Sequence, residues 1–263
     1  RAVARAGGAL ALTLLGLEAA FRWVLFASPP DLAWARNLRR PGLYADPRSD
    51  DVYWKLLYRF SRPAAQARRE ARFDPVVGWV SRRVAAETYR HESTSPEDGR
   101  RPILLYGDSF AECTTASADC FEGLLERSPL GARHVLLNHG VGGYGLDQAY
   151  LLAAHSVDLH ADPVVVLAIM IDDDLDRCVL SFRSGPKPLL DSTEAGLVDV
   201  RPPIRGVERY LERHPMGVTS WAWRYLLHGA GLPHSLGSAL RGDRAMLLRK
   251  QRVARAVLAA AKH

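Results

Sequence analysis

A chain of 263 residues, 48% hydrophobic and 24% charged, carries enough apolar side chains for one main globular domain and is too apolar to be disordered throughout. Its net charge of +6 comes mainly from arginines scattered among acids and prolines, without a run of five, so it reads as a solvated surface and no nucleic-acid partner is expected. Cys113, Cys120 and Cys178 are too few for a disulfide-rich scaffold and form no C-x-x-C; a Cys113–Cys120 bridge stays open if the domain is extracytoplasmic, with free buried thiols as the alternative.

The first element is "ALALTLLGLEAAFRWVLFA", Ala9 to Ala27, 19 residues that match the roughly 30 Å of a bilayer core. Nine Leu, Val and Phe residues favour insertion by about −3 to −5 kcal/mol in total, while Glu18 and Arg22 oppose it by about 2.5–3.5 kcal/mol each. Glu18 and Arg22 stand at i and i+4, where they can pair, and Arg22 lies near one end, where its stem can snorkel. We expect residues 1–30 to be a membrane anchor or uncleaved signal, against a cleaved signal peptide or an amphipathic surface helix. Orientation is left open, because Arg1 and Arg5 precede the segment and Arg36, Arg39 and Arg40 follow it.

Residues 31–100 read as a proline- and arginine-rich connecting region. It holds an amphipathic piece, "DVYWKLLYRF" at 51–60, then "FDPVVGWV" at 73–80, a turn followed by a strand or edge segment. "HESTSPEDGRRP" at 91–102 is a polar loop broken by Pro96 and Gly99, and the core is expected to begin after it.

Three continuous apolar runs follow: "PILLYG" at 102–107, "RHVLLN" at 133–138 and "PVVVLAIM" at 163–170. Strands covered on both faces read this way. Between them lie two helical patterns. "DCFEGLLERS" opens with Asp119 and Glu122 in cap-like spacing, and "GLDQAYLLAAHSVDLH" sets Leu146, Ala149, Tyr150, Ala153 and Val157 on one face. Strand, helix, strand, helix, strand predicts an α/β fold with a parallel sheet, whose ligands meet the loops at the carboxyl ends of the strands.

Those ends carry Gly107-Asp108-Ser109-Phe110, then "NHGVGGYGLDQ" at Asn138 to Gln148, then "IDDDLDRC" at Ile171 to Cys178. Together, over roughly residues 73–188, they resemble the SGNH or GDSL hydrolase family, particularly its membrane-anchored bacterial members. The resemblance implies a three-layer α/β/α, flavodoxin-like fold over residues 101–263. It also implies a serine esterase or acyl-transfer enzyme acting on O-acyl, most typically O-acetyl, esters of a glycan or lipid, with no cofactor or metal. Ser109 would be the nucleophile and, with Gly143, a backbone N–H donor to the oxyanion, while Asp108 would support the turn. The physical basis is general: a serine at a strand-to-helix turn exposes its hydroxyl, and its amide lies at a helix N-terminus whose partial positive charge favours a developing oxyanion. Gly107 is expected to permit unusual backbone angles. A helix cap is the other reading of Ser109, and a tight loop that of the glycines. The α/β-hydrolase elbow G-x-S-x-G fits "GDSFA" less well and leaves the "NHGVGGYGLDQ" loop unexplained. His139, inside that loop, is expected to make local hydrogen bonds and not to serve as base.

The chain departs from the family pattern twice. Asp172 stands where the family has an asparagine donating to the oxyanion, and an ionised aspartate only accepts. Asp172, Asp173, Asp174 and Asp176 can be read as divalent-cation ligands, but helix capping and pairing with Arg177 is the preferred reading. No Asp-x-x-His, the family's general-base motif, occurs. The chain opens on Arg1 and closes on His263 directly after an apolar helical pattern, so it reads as a piece of a longer protein, with the base expected beyond residue 263. Residues 181–240 are expected to be an insertion, with Trp221 and Trp223 in a cover over the site, on a glycan-facing surface or in a packed helix. A non-catalytic glycan-binding module and a metal-dependent phosphoesterase are the alternatives to the hydrolase reading. The resemblance implies an acylated glycan or lipid as the substrate partner; the membrane is expected to be contacted through the N-terminal helix, and the catalytic domain is expected in the periplasm or outside the cell.

Overall fold

The computed structural model describes residues 2–29, 31–44, 71–82, 84–85, 88–91, 99–181, 183, 186–194, 196–205, 220–229 and 243–261. In chain order the elements used below are α1 (Ala2–Arg22), α2 (Ala33–Leu38), β1 (Ala71–Asp74), β2 (Gly78–Ser81), β3 (Arg101–Gly107), α3 (Ser109–Glu112) and α4 (Phe121–Glu126). They continue with β4 (His134–Asn138), α5 (Leu146–Ser156), β5 (Val164–Ala168), α6 (Ile171–Arg177), β6 (Leu189–Thr193), β7 (Gly196–Arg201), α7 (Trp221–His228) and α8 (Asp243–Ala260). The chain packs as two compact units, Arg1–Arg62 with Glu208–Arg244, and Pro63–Val207 with Ala245–His263. The amphipathic piece at 51–60 and most of the loop at 91–102 lie outside the described residues.

The larger unit is α/β. Its three apolar runs form a parallel sheet in the order β4-β3-β5, with Leu104 opposite Leu137 on one side and Val165 on the other. Helix α5 lies against it through Ala149, Leu152 and Ala153, and Leu104, Tyr106, Val135 and Leu137 complete the same core. Each fully buried aliphatic side chain here stabilises the fold by about 1.5–3 kcal/mol.

The core begins earlier than the sequence pattern suggests. β1 and β2 form an antiparallel hairpin, and Val77, Trp79, Val80 and Val84 join the sheet's core. Trp79 packs edge-on against Tyr144 at 5.2 Å, and the Tyr144 hydroxyl donates to Trp79 O at 2.5 Å.

Two other expectations are corrected. β5 is not covered on both faces: among the described residues it pairs with β3 alone, and Val165 and Val166 are 43% and 39% exposed. The N-cap of α4 is Cys120, without a side-chain cap, instead of an Asp119–Glu122 pair. Cys120 is bonded to Cys113 with Cα atoms 5.8 Å apart, so the residue at which α4 starts is covalently bridged and not capped by a carboxylate.

The β6–β7 hairpin and α8 add a second core of Leu146, Cys178, Leu190, Val253, Ala254 and Val257. Burial pushes the Cys178 thiol well above its ordinary range, which keeps it protonated and unreactive.

In the smaller unit α1 continues through a wide helical turn, Trp23–Ala27, and residues Ala6–Ala27 form one helix long and apolar enough to cross a membrane. Leu10, Leu12, Leu14 and Leu15 are exposed along it. The expected Glu18–Arg22 pair is present at 2.8 Å. Trp221 is a packed residue of α7, 2% exposed, whereas Trp223 is half exposed.

Candidate active site

β3 ends at Gly107 and the chain turns at once. Asp108 is the N-cap of α3, its Oδ1 accepting from the Phe110 N–H at 2.9 Å, and Ser109 is the first helical residue, with its side chain exposed. Ser109 is therefore not the cap; its neighbour is. Gly107 is needed for space and not for unusual angles: its φ is not in the left-handed region, but an added Cβ would lie 2.5 Å from Ala168 O and 2.9 Å from Ala111 Cβ.

The loop after β4 continues the hydrogen bonding of the sheet beyond its strand. The His139 N–H donates to Leu105 O at 2.8 Å and the Val141 N–H to Gly107 O at 3.0 Å. Buried Asn138 fastens this loop to α3 by donating from Nδ2 to Ala111 O at 2.8 Å, while its Oδ1 accepts from the Gly140 N–H at 2.8 Å. The turn Val141-Gly142-Gly143-Tyr144 closes through Tyr144 N–H to Val141 O at 3.1 Å. Gly143 has φ +88°, the positive value that a type II turn requires at its third residue.

This turn stands beside the serine, since a Cβ added to Gly142 would lie 3.5 Å from Ser109 Cβ. The Gly142 N–H donates to Glu112 Oε2 at 2.8 Å. Among the described residues neither the Ser109 N–H nor the Gly143 N–H has an acceptor, and the Ser109 hydroxyl has no hydrogen-bond partner. Sequence reasoning gave Glu112 no role; the available signal was its place three residues after Ser109, on the same face of one helical turn.

The loop after β5 joins the other two through one side chain. Arg177, 7% exposed, donates from one guanidinium nitrogen to Asp108 Oδ2 at 3.2 Å, Asp174 Oδ1 at 2.8 Å and Tyr144 O at 2.8 Å, and from the other to Asp173 Oδ2 at 3.0 Å. One cation thus ties together the ends of all three parallel strands. Burial pushes the Asp174 carboxyl up to about 6, and Asp108 adds to the rise; the Met170 N–H and Arg177 oppose it.

The acidic run is spent on such pairs. Asp173 and Asp174 bind Arg177, and Asp176 binds Lys250 of α8. Among the described residues no group of three or more His, Cys, Asp or Glu side chains is placed to hold a metal ion. Asp172 is the second residue of α6, and its side chain lies outside the described residues.

The rest of the second motif is structural. Gln148 Nε2 donates to Val77 O at 2.7 Å, holding the β1–β2 hairpin. Asp147 forms a fully buried ion pair with Lys187 at 2.5 Å, and Lys187 also donates to Arg177 O at 2.7 Å. A lysine between two prolines, 40 residues from its partner, gives no signal in sequence. His139 stacks on Tyr106 at 4.7 Å with Nδ1 2.9 Å from Tyr89 O; a carbonyl only accepts, so Nδ1 carries the proton. Burial pushes its imidazolium down to about 3, so this ring is neutral near pH 7 and holds the loop. His91 Nε2 lies 2.7 Å from Gly140 O.

Phe110 and Ile171, 66% and 72% exposed, place apolar surface on the loops after β3 and β5. A separate cleft of about 500 Å³, lined by Ser192, Thr193, Arg252 and Arg255 among others, contains none of these strand-end residues. A hydroxyl that has no partner among the described residues, next to the Gly142–Gly143 turn, is an arrangement suited to nucleophilic attack on an acyl carbonyl with stabilisation of the resulting oxyanion.

No family model matches the chain, and no curated protein matches it.

Proposed function

We propose that the protein is a membrane-anchored serine hydrolase or acyltransferase of the SGNH type, acting on O-acyl esters, most typically O-acetyl, of a glycan or lipid. The observation that carries this reading is the Ser109 hydroxyl, without a partner among the described residues, beside the Gly142–Gly143 turn at the carboxyl end of a parallel sheet. Ser109 Oγ attacks the carbonyl as its proton passes to a general base, the Ser109 and Gly143 N–H groups receive the charge that develops on the carbonyl oxygen, and the ester C–O bond then breaks as the departing alkoxide takes that proton. Gly142 is excluded as a donor because Glu112 occupies its N–H. Asp108 and Arg177 position the turn by fixing its cap. Three-layer α/β/α packing and Gly143 as oxyanion donor belong to the same reading. The Cys113–Cys120 bridge and the apolar N-terminal helix support a domain held at a membrane and facing an oxidising compartment, periplasmic or extracellular.

A second reading, a glycan-binding module without catalysis, has one observation in its favour: the Ser109 hydroxyl has no basic partner among the described residues. Release of acetate from an O-acetylated polysaccharide by the full-length protein separates the two. The hydrolase reading expects release that Ser109→Ala abolishes and a chelator leaves unchanged. Polysaccharide binding that Ser109→Ala does not alter, with no acetate released, would establish the module instead. Release of phosphate from a phosphoester, lost in chelator, would favour a metal-dependent phosphoesterase, a reading that the pairing of Asp173, Asp174 and Asp176 with protein cations weighs against.

A further inference from the structure

We infer that α7, the tryptophan-bearing helix of the 208–244 segment, is a second membrane contact that lies in the headgroup layer of the bilayer against the last turns of α1. The inference rests on reading Ala6–Ala27 as a membrane span and adds a partner surface that this span alone does not provide.

The first observation is how α7 is held. Its N-terminus sits on a charge inside the apolar helix: Glu18 Oε2 accepts from the Ser220 hydroxyl at 2.9 Å and from the Ala222 N–H at 3.2 Å. The other Glu18 oxygen accepts from Arg22 at 2.8 Å. A helix N-terminus and a guanidinium thus satisfy a carboxylate that would be costly in hydrocarbon. Phe21 meets Tyr225 at 5.4 Å and Phe26 meets Trp221 at 5.3 Å, so α7 packs on residues 18–26, the last turn of α1 and the wide turn that continues it.

The second observation is what the outer side of α7 presents. With Trp221 and Ala222 buried toward α1, Trp223 and Leu226 remain 50% and 42% exposed, three residues apart on one face. A helix that is apolar on its protein side and carries a tryptophan and a leucine on its outer side suits a second apolar environment.

The third observation is the setting. Trp23 and Trp34 are half exposed near the same end of the span, and Arg22, Arg36 and Arg40 are exposed there. Tryptophans mixed with arginines at the end of an apolar helix match the chemistry of the membrane–water interface, where indole rings sit among headgroups and guanidinium groups meet lipid phosphates.

Spin labels at single introduced cysteines test this in the full-length protein, reconstituted in phosphatidylcholine–phosphatidylglycerol vesicles. Cys178 is buried and Cys113 is bonded to Cys120, so the native thiols do not compete. The labelled variants are Trp223→Cys on α7, Leu14→Cys in the span and Glu194→Cys on the exposed β6–β7 turn. The expected result is a ratio of oxygen to nickel-complex accessibility at residue 223 about threefold or more above that at residue 194, and below that at residue 14. A residue 223 label as open to the nickel complex as that at residue 194 would overturn the inference. Shielding from both reagents would overturn it too, by assigning the helix to a protein partner. A residue 14 label open to the nickel complex would instead remove the membrane span on which the inference rests.

Discussion

Replacing Arg177 with leucine removes the cation that, among the described residues, binds the loops after all three parallel strands. Its partners Asp108 and Asp174 have side chains only 3% exposed, so both carboxylates would stay buried without a counter-charge. Breaking a buried pair in this way costs about 3–5 kcal/mol. The half-exposed Asp173 adds less than about 1 kcal/mol. The loss must depend on pH, because a carboxyl freed of Arg177 takes up a proton more readily. In the parent protein Asp174 protonates from about pH 6 downward. In the variant it does so from a higher pH, and each pH unit of earlier uptake recovers about 1.4 kcal/mol. The deficit should therefore be about 2 kcal/mol smaller at pH 5 than at pH 7.5. Urea unfolding of the full-length protein in detergent, followed at both pH values, measures the difference. Arg177→Leu combined with Asp174→Asn should cost less than the sum of the single changes, since the two side chains touch. A deficit under about 1 kcal/mol at pH 7.5, or one of equal size at pH 5, would refute the role given to Arg177.

Further outcomes follow from neighbouring features. Lys187→Met leaves Asp147 charged and fully buried and should cost about 3–5 kcal/mol in the same unfolding assay, with partial recovery when Asp147→Leu is added. Asp174 itself sets a slope. With a folded value near 6 and an ordinary value of 3.8, the folded protein holds the proton in between, so this contribution to stability is full below about pH 4 and lost as pH rises through 6. Asp174→Asn should remove that slope from a stability profile taken between pH 4 and 7. Cleaving the Cys113–Cys120 bridge, which closes a loop of seven residues' separation, should lower stability by about 2 kcal/mol, read as a shift in the urea midpoint between native protein and Cys113→Ser/Cys120→Ser.

The sheet was legible in the sequence because its strands are continuous apolar runs of the kind a parallel sheet buries. "PILLYG", "RHVLLN" and "PVVVLAIM" became β3, β4 and β5, and "GLDQAYLLAAHS" became α5. The Glu18–Arg22 pair was legible for a similar reason, since an i, i+4 spacing is local. What could not be read were contacts between residues far apart in the chain. Arg177 meets Asp108 across 69 residues, and Lys187 meets Asp147 across 40. Trp79 gave no sign that its hairpin packs under Tyr144, because a single edge segment has no pattern that names its partner. The exposure of Val165 and Val166 was hidden because a continuous apolar run reads the same at the edge of a sheet as in its centre. At the site, the serine and the glycine loop were legible as motifs. The Glu112 bond that takes the Gly142 N–H and leaves Gly143 open was not, because backbone donors look alike in sequence.

The most direct test of the acyl-transfer chemistry is mass-spectrometric mapping of the adduct formed when the intact protein meets a fluorophosphonate. Modification at Ser109, slowed at least tenfold by Gly143→Val, is the predicted outcome, because a β-branched residue cannot hold φ +88° and moves the N–H away, and the loss of one oxyanion donor costs about 2.7–4 kcal/mol. A folded protein that takes up the probe at another residue, or stays unmodified at Ser109, would contradict it.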